Sequence, residues 1–364
     1  MQFGLSSEQT LLKDSVDHYV RERSSLQRVR QFAANDEGRA SDLLVGLAEL
    51  GVCGLLIPEQ YGGVGLSPLD ACLVAESLGY HVAPVAFTAS AAMVPTALLL
   101  AGSDVQRSAW LPKLAAGRML VGAALSELCG ARAGAGVSAK LTAAGSQLSG
   151  RALHVLDFEA DAYLVADSGC GLHWVAVDAP GLTRQRLDSV DRTRPIGELV
   201  FNQVMAQPLP GGGASTCQRI LDLGRLMLAA DTLGAAQSMV DQAVAYAGQR
   251  EQFGRVIGSF QAVKHMCAEM AAGLEPCRAF VWYAAHAITD TPAESHLLAC
   301  QLKAHISEVS RFVAKTATEV HGGMGFTDLL GLHYWFKRIG MNRQLLGTPE
   351  RLRLDAARAQ GLVA

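Results

Sequence analysis

The sequence predicts an α+β fold built as a helical region, a strand-rich region and a second helical region. Three observations carry this. Apolar residues recur at helical spacing through residues 1–122, with Leu43, Leu44, Leu47 and Leu50 as one such set. From about Gly122 to Gln207 the pattern changes to short strand-like runs between Gly, Asp and Ser turns. Beyond Pro208–Gly213 (PLPGGG), the clearest linker, long helical patterning resumes to the end. The regions are bounded accordingly at 1–122, 123–209 and 214–364. With 364 residues, half of them hydrophobic, the chain can support two or three substantial cores.

The elements follow in order. Ser6-Ser7-Glu8-Gln9 reads as a capping box opening an amphipathic helix. The helices after it are punctuated by PEQYGGVGLSP (Pro58–Pro68) and by Gly102-Ser103-Asp104. Strands are expected at Gln147–Val155, Ala162–Ala166, His173–Val177 and Leu199–Val204. Ser168-Gly169-Cys170-Gly171 reads as the hairpin between two of them.

Composition excludes several classes. A net charge of −3 offers no basic footprint, so nucleic acid is not expected as a partner. Eight scattered cysteines without a CxxC pair read as small buried residues in a reducing compartment. The first sixteen residues lack the basic flank and apolar core of a signal peptide. The longest apolar run of the first third, near Thr96–Ala101, is too short to span a bilayer. A cytoplasmic protein without membrane insertion is expected. No HExxH motif or Cys/His cluster at ligand spacing appears, so no metal is expected, and His286, His296 and His305 read as surface or core residues. The run Gly130–Gly136 lacks the strand-then-helix context of a dinucleotide fingerprint.

The most informative stretch is QREQFGRVIGSFQAVKH, Gln249–His265. It sets Arg250, Phe253 and Gln261 around a tight Phe253-Gly254 turn between two helical segments. An arginine fork suits bidentate pairing with a pyrophosphate, an aromatic can cover a cofactor edge, and an amide can fix a ribose or base. The spacing resembles the C-terminal helical domain of the acyl-CoA dehydrogenase family, flavoenzymes that desaturate acyl-CoA thioesters. LAELGVCGLLIPEQYGGVGL (Leu47–Leu66), SVDRTR (Ser189–Arg194) and HGGMGF (His321–Phe326) extend the resemblance over nearly the whole chain. It implies an N-terminal helical domain, a middle β-domain and a C-terminal four-helix-bundle domain. It also implies FAD held between two subunits.

The resemblance divides the chain into a half-site offered to a neighbour and a half-site kept for its own flavin. The offered half is intact: Arg250, Phe253 and Gln261 are present, and Gly322 and Gly323 permit close backbone approach. Glu319 stands where relatives often carry glutamine. His321, beside the glycines, is read equally as a cofactor contact or a packing residue.

The kept half is eroded. Ser126-Glu127-Leu128-Cys129-Gly130 retains only the first part of the family's flavin-contacting loop. His154 and Leu156 replace the tryptophan and hydroxyl expected to line the flavin cleft, and a leucine supplies no hydrogen bond. Leu346 and Gly224 occupy the two positions where relatives carry the catalytic glutamate, so neither can take the α-proton. Asp222 and Arg225 read as a structural ion pair.

The resemblance therefore implies a subunit that is inactive alone and pairs with a paralogous acyl-CoA dehydrogenase subunit. An acyl-CoA of the steroid or bulky type is the implied substrate, with electron-transfer flavoprotein or a similar carrier as acceptor. The alternatives are a homo-oligomeric dehydrogenase with a base at an unusual position, and a redox-inert acyl-CoA-binding or scaffold protein.

Overall fold

The computed structural model describes residues 4–130, 134–143 and 145–363, and every structural statement below is made of these. The N-terminal region is helical: α1 (Ser7–Arg23), α2 (Leu26–Ala34), α3 (Ser41–Glu49), α4 (Pro68–Tyr80), α5 (Val94–Ala101) and α6 (Asp104–Ala115). The Ser6–Gln9 capping box forms as expected, and Ser67 and Ser103 open α4 and α6 in the same way. Each satisfies amide groups that the first turn leaves unpaired.

The middle region contains β1 (Val121–Ala124), β2 (Gly136–Thr142), β3 (Gly145–Val155), β4 (Ala162–Ala166), β5 (Leu172–Ala176), β6 (Leu182–Arg186) and β7 (Gly197–Leu209). They form one sheet in the order β1-β4-β5-β7-β3-β2, with β6 also on β7. Only the β1–β4 pair is parallel. The four expected strands are present, and Ser168–Gly171 joins β4 to β5. β2 and β6 are mostly exposed, so their side chains carry no strong apolar alternation. The linker is shorter than the sequence suggests. Pro208 pairs with His173 inside the sheet, and only Pro210–Gly213 connects to the helices.

The C-terminal region contains α7 (Ala214–Gln249), α8 (Gln261–Asp290), α9 (Pro292–His321), α10 (Leu332–Gln344) and α11 (Pro349–Ala359). A hairpin, β8 (Glu251–Gln252) and β9 (Arg255–Val256), joins α7 to α8. The two helical regions share a core in which Leu78 and Val74 of α4 pack with Leu226, Leu233 and Leu302. Glycine makes this possible where α4 and α7 touch. A Cβ on Gly79 would lie 2.0 Å from the Asp231 carbonyl oxygen, and one on Gly234 would lie 1.9 Å from that of Glu76.

A buried polar network ties the three regions together. Arg338 of α10 donates to Asp231 of α7 (2.6 Å) and to the Ala83 carbonyl (2.8 Å). It also donates to Thr193, in the loop before β7 (3.3 Å). The carboxyl of Asp231 is opposed by burial but held below its ordinary value by Arg338 and Arg194. No helix among the described residues is long and apolar enough to cross a membrane.

Candidate functional site

Two places carry the motif residues, and they differ in kind. At the end of α7, Arg250 caps the helix with an exposed side chain that has no hydrogen-bond or ion-pair partner among the described residues. The next residues form the β8–β9 hairpin, whose central Phe253 and Gly254 both have positive φ, 54° and 75°. That is the geometry of a two-residue type I′ turn. A phenylalanine pays for such a backbone in strain, yet its ring is 92% exposed. Arg255 lies over the Phe260 ring at 4.0 Å and stiffens the hairpin. Gln261, also exposed, opens α8.

The end of α9 stands beside this hairpin because His321 stacks on Tyr246, one turn before Arg250, at 4.7 Å. His321 Nδ1 donates to the Ala317 carbonyl (2.7 Å) and the side chain is buried, so its role is packing. Gly322 (φ 57°, ψ −138°) stops the helix by donating its amide to the Glu319 carbonyl. The Glu319 side chain is exposed. A Cβ on Gly322 or Gly323 would meet nothing within 4 Å. Phe326, not singled out from sequence, follows at 82% exposure. Its only signal there was an aromatic closing a glycine-rich segment.

The second place is a cleft of about 500 Å³ between the β-region and α10–α11. Ser126, Cys129, His154, Leu346, Thr348 and Arg351 are among its walls, and no Asp or Glu is among the described residues lining it. The Ser126 hydroxyl donates to the His154 carbonyl (3.1 Å), which leaves it oriented by its own chain. Residues 131–133, which continue the Ser126 loop, lie outside the described residues. His154 is among the cleft walls, and next to them lies Leu156. It is bridged to Ala123 by two backbone hydrogen bonds and faces a small adjoining cavity with Thr88 and Asp157. That cavity shares Met341 and Leu345 with the cleft.

Leu346 and Gly224, the two positions expected to lack the base, converge on one spot. A Cβ on Gly224 would lie 2.7 Å from Leu346 Cδ1 and 2.7 Å from Met93 Sδ. Leu346 is buried, with φ 54°. Its backbone is clamped from below. Arg225 Nε donates to the Leu346 carbonyl (3.0 Å), and Lys303 Nζ donates to that of Gly347 (3.0 Å). Burial, then the nearby Arg225 cation, push the Lys303 ammonium down to about 7.

Arg225 also forms the expected ion pair with Asp222 (2.9 Å). His286 and His305 are surface residues, as read. His296 is not a bystander. Its Nδ1 lies 3.1 Å from Asp222 Oδ1, and its pKa is pushed up to about 10 by the hydrogen bond to Asp222 and then by that to Cys300.

The motif residues thus gather in two places, a cleft at the β-region and an outer edge bearing Gly322 and Gly323. The comparisons give the class of the chain. The acyl-CoA dehydrogenase N-terminal domain model matches residues 6–118, and the C-terminal domain model matches residues 211–361. The chain is 32% identical over 351 residues to acyl-CoA dehydrogenase IpdE2 of Mycobacterium tuberculosis, covering 95% of each. Among solved structures it is similar to the ChsE4–ChsE5 complex from Mycobacterium tuberculosis, with a TM-score of 0.93 at 26% identity over the full length of both chains. It is also similar to a variant of the Tcur3481–Tcur3483 steroid acyl-CoA dehydrogenase, with a TM-score of 0.88 at 29% identity over 97% and 98% of the two chains. This protein belongs to the acyl-CoA dehydrogenase family, whose members are flavoproteins that use FAD.

Proposed function

We propose that the chain is a subunit of a heteromeric acyl-CoA dehydrogenase that lacks its own base and completes the FAD site of a paralogous partner. The observation that carries this reading is the contrast between its two sites. Leu346 and Gly224 fill the base positions with packed hydrocarbon, and the cleft has no carboxylate among its described walls. Arg250, Phe253, Gln261, Gly322 and Gly323 instead face outward, and Arg250 has no partner of its own.

The offered residues fit FAD. An unpaired guanidinium fork matches a pyrophosphate, and the glycine pair leaves room for backbone to meet the ADP portion. Bound FAD supplies the acceptor for the β-hydride of a CoA thioester. The partner's base takes the α-proton, and electron-transfer flavoprotein or a similar carrier takes the electrons onward. Similarity to the ChsE4–ChsE5 complex and to a steroid acyl-CoA dehydrogenase supports a two-chain assembly acting on a bulky, steroid-type acyl-CoA.

Arg250→Ala in the assembled complex tests the reading. A charge-assisted contact of about 1.5–3 kcal/mol is lost, which corresponds to a roughly ten- to hundred-fold loss of FAD affinity. Activity should fall at limiting FAD and recover partly in excess, while Arg250→Lys rescues incompletely because a point charge cannot reproduce the fork. Unchanged flavin content and activity in an intact complex would make Arg250 a surface residue and remove the main support.

A further inference from the structure

We propose that Asp222, His296 and Cys300 form a site for one borderline-soft divalent cation, Zn²⁺ or a metal of similar preference, joining α7 to α9 beneath the cleft. His296 and Cys300 stand one turn apart on the same face of α9, and α7 brings Asp222 against them. Their ligand atoms lie within 4.8 Å of one another. His296 Nδ1 is 3.2 Å from Asp222 Oδ2 and 3.8 Å from Cys300 Sγ. Bonds of about 2.0–2.3 Å from a tetrahedral ion place its ligand atoms roughly 3.3–3.8 Å apart. Both His296 separations already fall within a few tenths of an ångström of that range, and Asp222 and Cys300 lie within 4.8 Å of each other.

The donor set is imidazole, thiolate and carboxylate, which suits zinc and disfavours magnesium or calcium. Asp222 and Cys300 are buried, whereas the His296 side chain is 31% exposed and gives the ion an approach from solvent. Three protein ligands leave a fourth position for water or a solvent-borne ligand.

Arg225 is the obvious objection, because a cation lies beside the site. It donates to Asp222 Oδ1 at 2.9 Å, which leaves Oδ2 to face the metal, and the same Nη1 lies 3.5 Å from Cys300 Sγ. A carboxylate held through one oxygen while ligating through the other is the ordinary outer-sphere arrangement. Two anionic ligands, one dication and Arg225 sum to a single positive charge, with Asp355 4.0 Å from Arg225 on its far side. Because Arg225 also holds the Leu346 carbonyl, an ion here would stiffen the cleft floor.

The test is cobalt titration of the full-length, metal-stripped chain under reducing conditions. One equivalent of Co²⁺ should give a thiolate-to-cobalt charge-transfer band with intense tetrahedral d–d bands, and Zn²⁺ should displace it. Cys300→Ser should remove the charge-transfer band. His296→Gln, at a half-buried position that tolerates change, should abolish stoichiometric binding and the rise in melting temperature that Zn²⁺ gives the wild type. The proposal is overturned if the wild type shows no such band at stoichiometric cobalt, in which case a proton holds the cluster. It is equally overturned if His296→Gln keeps the band, which would place the metal on other cysteines.

Discussion

The outward-facing edge and the inward-facing cleft have opposite physical characters. The hairpin at Phe253-Gly254 and the segment Gly322–Phe326 expose two aromatic rings and three glycines, and gain little within this chain. At the cleft floor, Leu346, Gly224 and Met93 are packed against one another, with Arg225 and Lys303 holding the loop beneath. A positive-φ phenylalanine left in solvent is costly to a single chain. A leucine packed into a glycine's space rewards the chain itself. One region has the character of an interface and the other of a core.

The sharpest way to break this contrast is through catalysis. The chain alone should show no acyl-CoA desaturation, and Leu346→Glu should leave turnover well below that of ordinary family members. A positioned base is worth roughly 10²–10⁴ in rate, but His154 and the altered Ser126 loop still face the flavin side. Stopped-flow reduction of FAD by acyl-CoA would measure this, and near-normal turnover would mean the cleft is sound.

Gly224→Glu should act on folding first. The new side chain meets Leu346 and Met93 at 2.7 Å, so overpacking should cost about 1–3 kcal/mol in urea unfolding. An unchanged midpoint would show that the floor can relax to admit a carboxylate.

Lys303 gives a pH signature to the clamp under the loop. Its folded pKa is about 7, against about 10.4 when unfolded. Between those values the unfolded chain binds more protons, so stability should rise with pH from about 7 toward 10.4. Lys303→Met should flatten that rise when urea midpoints are compared at neutral and alkaline pH.

The smallest effect on folding belongs to the outer edge. Gly323→Ala meets open space and should change stability by less than about 0.5 kcal/mol. If the edge is an interface, the same change should still lower FAD retention in the complex. A drop in melting temperature of the single chain without loss of flavin would reverse the assignment.

Much of this was legible in the sequence. The helix–sheet–helix order, the Ser6 capping box, four strands and the Ser168–Gly171 hairpin follow from local patterning, because caps, turns and periodicity act over a few residues. That Leu346 and Gly224 carry no titratable group is likewise fixed by residue identity, whatever the fold does. β2 and β6 escaped notice because they are mostly exposed and carry no strong alternation. The end of β7 was taken for linker because proline and glycine dominate there, although Pro208 needs no amide where it pairs.

Residue identity by itself determined that Leu346 and Gly224 carry no proton-accepting group and which side chains the chain can offer a cofactor. Tertiary structure alone decided where those side chains point and whom they meet. Packing set His154 on the cleft and Leu156 on the cavity beside it, and the crossing of α7 with α10 laid Leu346 in the space over Gly224. The same packing of α7 on α9 set Asp222 against His296 and Cys300, far apart in sequence. Periodicity records which face of an element is buried; only the packing of one element on another fixes which atoms come within bonding distance.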